Sequence, residues 1–387
     1  MAKPLIMIVD DTPENLDVLG SILVKEYKVK AALNGQRALR IAQSTPKPDM
    51  ILLDIMMPEM DGYEVCRQLK ADPSTAEIPI IFVTAKVQVE DEQKGLELGA
   101  VDYIIKPISP PILKERVKTH LALRLAYKKL DATNSLVMES IRYARRIQGA
   151  ILPPASLLEQ RLPNHFVLWE PRDVVGGDLY WCRPTDEGLL IILGDCTGHG
   201  VPGAFMTLIA NGVLDQALQQ YSANDPAQII SRMHKGIQHL LNQDTSEGES
   251  DDGLELGACF LPDDTNHLIF SGARFSLFYQ DKDQEIVEIK GDKKGIGYRR
   301  IEADTLFTNH QIDTPDQRRF FMSSDGMIDQ IGGEKRRGFG KKRLLEALTT
   351  LKEHPMAEVG QQLYQTLLTY QGEEKRRDDV CIIGFSR

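Results

Sequence analysis

Five apolar segments alternate with amphipathic stretches over the first 120 residues, and this alternation is the strongest constraint on the fold. The segments are LIMIVDD (5–11), YKVKAAL (27–33), DMILLDIMMP (49–58), IPIIFVTA (78–85) and AVDYIIKP (100–107). Short apolar strands separated by helices are typical of a parallel sheet that is buried on both faces. The sequence therefore predicts an α/β, doubly wound domain that binds its ligands at the carboxyl ends of the strands.

Polar side chains stand at those strand ends: Asp10, Asp11, Asp54, Thr84 and Lys106. Three converging carboxylates need a divalent cation between them, and Mg²⁺ favours such oxygen ligands. A hydroxyl and an ammonium group at the same edge suit the oxygens of a phosphoryl group. Capping of a helix N-terminus explains any one of these acids, but the recurrence at successive strand ends indicates a magnesium and phosphoryl site.

These segments resemble the receiver domain of bacterial response regulators over about residues 3–125. The residues that carry the resemblance are VDD (9–11), LLDIMMPEMDG (52–62), TA (84–85) and KP (106–107). The resemblance implies that Asp54 accepts a phosphoryl group from a sensor histidine kinase. It also implies that Asp10, Asp11, Asp54 and the backbone carbonyl of Met56 hold Mg²⁺.

The same resemblance assigns the switch residues of the receiver. Thr84 and Lys106 sense the phosphoryl group, and Tyr103 is the aromatic residue that responds to it. The Lys106–Pro107 peptide bond is a candidate for the cis form, which proline makes accessible.

Residues 112–152 contain one glycine, Gly149, and no proline, and apolar residues recur in them every seven positions. One series is Leu123, Leu130, Val137, Ala144 and Ile151, and the other is Tyr127, Asn134, Ile141 and Gln148. Their offsets of three and four predict a coiled coil. We expect a helical connector over 123–152, between a receiver domain at 1–122 and a domain at 153–387, that joins two copies as a parallel homodimer. The alternative is one amphipathic helix lying against its own domain.

The segment 153–387 is rich in β-strand patterns with helical patterns between them, which predicts an α+β domain with two sheets covered by helices. Four acids stand at its strand ends or turns: Asp178, Asp195, Asp325 and Asp378. Each one alone is typical of a turn or a helix cap. Together they offer hard oxygen ligands, which favour Mg²⁺ or Mn²⁺ over structural zinc. The glycines of GDCTGHGVPG (194–203) would let the backbone approach such ions closely.

This part of the chain resembles the metal-dependent Ser/Thr protein phosphatases of the type 2C class, in the branch of the sporulation stage II phosphatase. The residues concerned are RRIQGAILPP (145–154), PRDVVGGDLYW (171–181), LGDCTGHGVPGAFMT (193–207), MSSDGMID (322–329) and RRDDVCIIGF (376–385). The resemblance implies a four-layer β-sandwich with helices outside and two Mn²⁺ or Mg²⁺ ions at one end. A water acidified between these ions would attack the phosphoester.

The phosphatase resemblance also assigns metal ligands. Asp178, Asp195 and the carbonyl of Cys196 are implied to hold one ion. Asp195, Asp325 and Asp378 are implied to hold the other, with Asp379 as the alternative to Asp378.

Two further residues near these motifs have open roles. His199 is a candidate general acid, although relatives with such a histidine have it directly after Asp-Gly, and a structural role in the loop is the alternative. Arg172 is a candidate contact to the substrate phosphate, with an ordinary surface arginine as the alternative.

The composition excludes some classes of binding partner. The formal net charge of −10 and the lack of a basic recognition helix argue against a nucleic acid or an anionic membrane as partner. No apolar run approaches the roughly 20 residues that span a bilayer. The five cysteines are widely spaced, and we expect free thiols and a cytoplasmic protein.

The combined prediction is a two-component output enzyme. A kinase phosphorylates Asp54, the connector repacks, and the phosphatase removes phosphate from serine or threonine of a protein, which the resemblance implies to be an antagonist of an anti-sigma factor. The alternative is a degenerate phosphatase fold that sequesters a partner under receiver control. The complete set of four aspartates argues against it.

Overall fold

The computed structural model describes residues 3–85, 89–245, 250–263, 266–280, 285–314 and 318–386. The chain divides into two compact units, Met1–Leu136 and Val137–Arg387, and the boundary falls within one long helix.

The first unit is a five-stranded sheet in the order β2-β1-β3-β4-β5, with every pair of neighbours parallel. Its elements are β1 (Leu5–Val9), α1 (Pro13–Leu23), β2 (Lys28–Ala32), α2 (Gly35–Gln43), β3 (Met50–Leu53), α3 (Gly62–Ala71), β4 (Ile80–Thr84), α4 (Val89–Glu97), β5 (Asp102–Ile105) and α5 (Pro110–Ile151). Successive strand residues enter two different apolar clusters; Met7 and Ile51 belong to one, Ile8 and Leu52 to the other. The sheet is therefore buried on both faces, as predicted.

Helix α5 is continuous over 42 residues, because nothing in its interior breaks a helix, and it ends just before Pro153. The predicted seam is exposed in its middle part: Leu123, Tyr127, Leu130 and Val137 all lie more than half in solvent. Gln148, also assigned to the seam by its spacing, is 2% exposed and buried within its own unit. At this position the helix packs against its own unit, as the alternative interpretation expects, and the coiled coil over 123–152 stays a prediction.

The second unit contains two five-stranded antiparallel sheets, in the orders β13-β10-β9-β8-β7 and β12-β11-β14-β17-β6. Its elements are α6 (Ala155–Arg161), β6 (Asn164–Glu170), β7 (Asp178–Thr185), β8 (Gly188–Cys196), α7 (Gly200–Gln220), α8 (Pro226–Leu240), β9 (Leu254–Pro262), β10 (His267–Ala273), β11 (Ser276–Gln280), β12 (Ile286–Lys290), β13 (His310–Asp313), β14 (Arg319–Ser323), α9 (Gly326–Asp329), β15 (Ile331–Gly332), β16 (Arg337–Gly338), α10 (Gly340–Thr350), α11 (Met356–Gln371) and β17 (Val380–Ser386).

Three apolar clusters order these elements into layers. The central cluster joins both sheets, since it contains Ile191 of β8 and Ile383 of β17. A second packs α7 and α8 on the first sheet, and a third packs α10 and α11 on the other. The unit is a helix–sheet–sheet–helix sandwich, which confirms the predicted architecture.

Two further expectations concern the chain as a whole. All five cysteines are buried free thiols. Within the described ranges, no helix is both long enough and apolar enough to cross a bilayer.

Candidate active site and receiver site

The predicted receiver acids meet at one edge of the parallel sheet. Asp10 follows β1, and Asp54 follows its neighbour β3. Asp10, Asp11 and Asp54 each offer a carboxylate oxygen, and these three oxygens lie within 4.8 Å of one another. Nζ of Lys106 lies 2.7 Å from Oδ2 of Asp10 and 2.8 Å from Oδ1 of Asp54. The structure therefore brings four of the predicted site residues into one cluster.

Backbone and side-chain donors fix these carboxylates. Oδ1 of Asp10 accepts hydrogen bonds from the backbone N–H of Thr12, at 3.0 Å, and from the amide of Asn15, at 2.9 Å. Burial raises the pKa of Asp54, and the hydrogen bond from Lys106 opposes that rise. Asp10 and Asp11 add to the rise through like charge, and a divalent cation would relieve that repulsion. The donor set therefore fits Mg²⁺.

The predicted switch residues lie on the two strands beyond β3. Thr84 is the last residue of β4, and its side chain is fully buried. Tyr103 of β5 is buried as well, in the same apolar cluster as Phe82. The Lys106–Pro107 bond is cis, as expected.

The second set of acids gathers where strands of both sheets of the sandwich end. Asp178 begins β7 and lies opposite Asp195 of β8 in the antiparallel register. Asp325 follows β14, and Asp378 stands two residues before β17, the strand paired with β14. The side chain of Asp325 makes no capping hydrogen bond to α9, and it is hydrogen-bonded to the side chain of Asp195 instead.

These acids lie close enough for the charge of one carboxylate to raise the pKa of another. Burial raises the pKa of Asp195 strongly, and the charges of Asp178, Asp325 and Asp378 raise it further. Burial and like charges also raise the pKa of Asp178, with a hydrogen bond from Ser324 acting the other way. A divalent cation would relieve the repulsion among these crowded carboxylates, so the donor set fits the predicted ions.

The phosphatase acids are spread more widely than the receiver acids. In the part of the chain that the structure describes, Asp10, Asp11 and Asp54 are the one group of three acids with ligand atoms within 4.8 Å. Carboxylates spread in this way would hold a pair of ions, as the resemblance implies.

Ser324 is a site residue that the sequence analysis missed. Its buried hydroxyl donates a 2.6 Å hydrogen bond to Oδ2 of Asp178 and accepts one, at 2.9 Å, from the backbone N–H of Cys381. It therefore orients the Asp178 carboxylate. Its place directly before Asp325 in MSSDG was the available signal.

Asp378 and Asp379 differ in their hydrogen-bond partners. The buried carboxylate of Asp379 accepts hydrogen bonds of 2.6 Å from the backbone N–H groups of both Arg172 and Gly177. Those bonds anchor the loop that precedes Asp178. Asp379 is thus occupied with the backbone, which favours Asp378 as the ligand. The side chain of Arg172 donates to the carbonyl of Arg377, at 3.2 Å, at the mouth of the site.

Glycines bring the two loops of the site into main-chain contact. A Cβ atom added to Gly177 would lie 2.5 Å from the carbonyl oxygen of Gly198, which a real side chain does not tolerate. Gly198 itself has a φ of +81°, in the left-handed region that favours glycine. The loops pack this closely next to Cys196, whose N–H donates to the carbonyl of Gly177 at 3.2 Å. Burial raises the pKa of the Cys196 thiol, so the carbonyl, not the sulfur, is its candidate ligand atom.

His199 lies at the rim of the cluster, just before α7. Its Nδ1 is 3.3 Å from Oδ2 of Asp173, a residue that the sequence analysis did not single out. The imidazole is close enough to Asp379 to lower the pKa of that carboxyl group, although burial raises it overall. A role as general acid stays a prediction.

Glu255 is a further acid that the sequence analysis missed. It lies on β9 opposite Asp195, and its carboxylate is 3.0 Å from the guanidinium of Arg274. Burial raises its pKa, with Arg274 opposing. A charged residue within the apolar strand LELGACFLP was the available signal.

The C-terminal end of α5 is bonded to the loop before Asp178. Nε2 of Gln148 donates to the carbonyl of Gly176 at 2.6 Å and to the hydroxyl of Thr207 on α7 at 3.2 Å. The N–H of Gly176 donates back to Oε1 of Gln148 at 3.3 Å. We call the loop before Asp178 the ligand loop. A change in the position of α5 would therefore act directly on this loop.

Comparison with known proteins identifies the same two kinds of domain. A family model described as the response regulator receiver domain matches residues 6–118, and one described as Stage II sporulation protein E (SpoIIE) matches residues 185–387. Among solved structures, the SiaA-PP2C domain of Pseudomonas aeruginosa is 35% identical, with a TM-score of 0.60. That match covers 66% of this chain and 99% of the SiaA domain.

Two curated relatives match a smaller part of the chain. A Vibrio cholerae protein named Probable cyclic di-GMP phosphodiesterase is 45% identical over 170 residues, which is 42% of this chain and 38% of that protein. Response regulator PleD of Caulobacter vibrioides is 43% identical over 126 residues, which is 32% of this chain and 28% of PleD. The chain thus spans well under half the length of these relatives.

The SpoIIE model covers more than half of the chain, and the four-layer sandwich agrees with the match to the SiaA domain. The chain belongs to the SpoIIE family and carries a response regulator receiver domain ahead of a PP2C-type phosphatase domain.

Proposed function

We propose that this response regulator hydrolyses phosphoserine or phosphothreonine in a regulatory protein, with divalent metal ions as cofactors, under the control of Asp54. The observation that carries the proposal is the cluster of Asp178, Asp195, Asp325 and Asp378, in which Asp178 is buried, Asp195 and Asp378 are half-buried and Asp325 is exposed. The charges of Asp325 and Asp378 raise the pKa of both Asp178 and Asp195. PP2C-type and receiver domains generally use Mg²⁺ or Mn²⁺, and the donor chemistry here fits both ions.

The residues of the cluster have distinct tasks in this proposal. Asp178, Asp195 and the Cys196 carbonyl would hold one ion, and Asp195, Asp325 and Asp378 would hold the other. When bound, the pair supplies an acidified water as nucleophile and neutralises charge on the phosphate. Ser324 keeps the Asp178 carboxylate oriented through its 2.6 Å hydrogen bond. His199 stands at the rim, where an imidazole can deliver a proton to a leaving alkoxide.

Control by the receiver uses α5. A sensor histidine kinase phosphorylates Asp54, with Mg²⁺ held by Asp10, Asp11, Asp54 and the Met56 carbonyl, and Thr84, Lys106 and Tyr103 report the change. The connector at 123–152 carries the signal from the receiver at 1–122 to the phosphatase at 153–387. Its contact with the ligand loop at Gln148 supports this route. The exposed apolar residues Leu123, Leu130 and Val137 support pairing of two copies through the connector.

The proposal also names a class of protein substrate. A protein acting as an antagonist of an anti-sigma factor is the class that the family resemblance implies. The cleft that Asp378 lines is open to solvent, which supports a protein substrate over a small metabolite.

The test is phosphate release from an aryl phosphate by the full chain with Mn²⁺, measured with and without beryllofluoride, which stands in for the phosphoryl group on Asp54. Intact protein is expected to be active in at least one of these states. Asp195→Asn should lose that activity, because both ions need this carboxylate. An active Asp195→Asn variant, or an intact chain that is silent in both states, would contradict the proposal.

A further inference from the structure

Two basic segments stand beside Asp378, in a chain whose formal net charge is −10. One segment includes Lys335, Arg336 and Arg337, and the other is Lys375, Arg376 and Arg377. We call these six residues the basic rim. A local excess of cations on an acidic protein marks a surface with its own electrostatic partner.

The rim is built by specific contacts. The short strands β15 and β16 form a hairpin, and the N–H of Gly333 in its turn donates to the carbonyl of Tyr370 on α11 at 2.8 Å. The hydroxyl of Tyr370 donates to the carbonyl of Arg337 at 2.9 Å. Arg336 and Glu374 form an ion pair with an Nε–Oε1 distance of 2.6 Å. These contacts hold the two basic segments side by side.

Most charges of the rim have no counter-charge. Arg336 is neutralised by Glu374, and Arg376 donates to the amide oxygen of Gln371. Within the described ranges, no acid forms an ion pair with the other four cations. They are Lys335, Arg337, Lys375 and Arg377, all of them exposed.

The rim borders an open cleft of about 1030 Å³ that reaches the metal ligand Asp378. Arg336, Lys375, Arg376 and Arg377 line it, together with Arg172. Four acids line it as well, Asp329, Glu373, Glu374 and the proposed ligand Asp378, so five cations and four acids border the cleft. A peptide that placed its phosphoserine at the acids would run its neighbouring residues along the rim.

We propose that the basic rim binds an acidic segment of the phosphoprotein substrate and so selects phosphosites with Asp or Glu nearby. This inference rests on the proposed phosphatase function and names the substrate feature that the site recognises. Cations without partners contribute here through charge complementarity, which sets specificity and association rate more than total affinity. The preference for acidic substrates should therefore weaken as salt rises.

The experiment compares two phosphoserine peptides of equal length, one with acidic and one with neutral residues around the phosphosite. The full chain is assayed with Mn²⁺, with and without beryllofluoride, and the readout is the ratio of kcat/KM for the two peptides. The test variant is Lys375→Glu with Arg377→Glu. The matched control is Arg232→Glu with Lys235→Glu on α8, which reverses the same number of charges outside the rim. An aryl phosphate, which has no flanking residues, reports the metal site separately.

The intact chain is expected to favour the acidic peptide by about tenfold at low salt, because several exposed charge pairs each contribute a small amount. The ratio should fall to about one in the test variant and stay high in the control. An intact chain that cleaves the aryl phosphate but treats both peptides alike overturns the inference and leaves the phosphatase function standing. A test variant that keeps the full preference overturns it as well. Failure to cleave any phosphoester would overturn the phosphatase function, and the inference with it.

Discussion

The side-chain amide of Gln148, near the end of α5, donates a 2.6 Å hydrogen bond to the backbone carbonyl of Gly176, two residues before Asp178. This bond links a helix that begins in the receiver unit to the loop that places a proposed metal ligand. Because Gln148 and Gly176 are both buried, neither group can exchange this partner for water without a cost.

Gln148→Ala is expected to lower phosphatase kcat by about tenfold, because an unpaired buried carbonyl costs about 1–3 kcal/mol and loosens the ligand loop. Arg145→Ala, an exposed position on the same helix, is the matched control and should behave as the intact chain does. Phosphate release at saturating substrate checks the effect on kcat. Equal rates for Gln148→Ala and Arg145→Ala would contradict this role of Gln148.

Ser324→Ala should weaken metal binding, because loss of a hydrogen bond to a ligating carboxylate typically costs about 10–100-fold in metal affinity. The Mn²⁺ concentration that gives half-maximal activity is therefore expected to rise by at least about tenfold. Ser323→Ala is the control, since that hydroxyl donates to the Ser324 carbonyl and not to a proposed ligand. An unchanged Mn²⁺ requirement in Ser324→Ala would contradict the assigned role.

Asp378 and Asp379 are adjacent, but we expect alanine to have different effects at the two positions. At Asp379 it should lower the stability, and at Asp378 it should abolish the activity. Asp379→Ala leaves the N–H groups of Arg172 and Gly177 without their acceptor, at about 1–3 kcal/mol per buried group. The Tm of the phosphatase unit should drop by several degrees, at about 2–4 °C per kcal/mol. Asp378→Ala should abolish activity without lowering the Tm, because it removes one charge from a repulsive cluster. Differential scanning calorimetry and phosphate release together distinguish the two; the reverse pattern would exchange their roles.

Asp11→Asn is expected to change the stability of the receiver in a direction that depends on Mg²⁺. Without the ion, loss of one negative charge from the Asp10, Asp11 and Asp54 cluster relieves repulsion and raises the Tm. With Mg²⁺ the intact receiver gains stability by binding the ion, and the variant gains less. Asp17→Asn, an exposed acid on α1, is the control. A variant that is stabilised equally by Mg²⁺ would exclude Asp11 from the site.

Much of the receiver site could be predicted from the sequence because its residues stand at strand ends. Parallel strands bring those ends to one edge, so Asp10, Asp54 and Lys106 converge once the strands are recognised. The same reasoning located Asp178 and Asp195 at the ends of β-strands in the second unit.

Sequence patterns could not identify residues whose role depends on a hydrogen bond to a distant segment. Ser324 and Gln148 carry common side chains in ordinary positions, and only the packing of distant segments shows what they contact. The heptad spacing even assigned Gln148 to a pairing seam, since a periodic pattern does not say which surface a helix face meets. The choice between Asp378 and Asp379 also needed the structure, because the backbone donors of Arg172 and Gly177 lie about 200 residues away in sequence.

The central claim is that the state of Asp54 sets the rate of phosphoester hydrolysis at the second site. The most direct measurement is phosphate release from a phosphoserine peptide by the full chain with Mn²⁺, with and without beryllofluoride, for the intact protein and for Asp54→Ala. The account predicts that beryllofluoride changes the rate of the intact chain and has no effect on Asp54→Ala. Equal rates in the intact chain with and without beryllofluoride would contradict it.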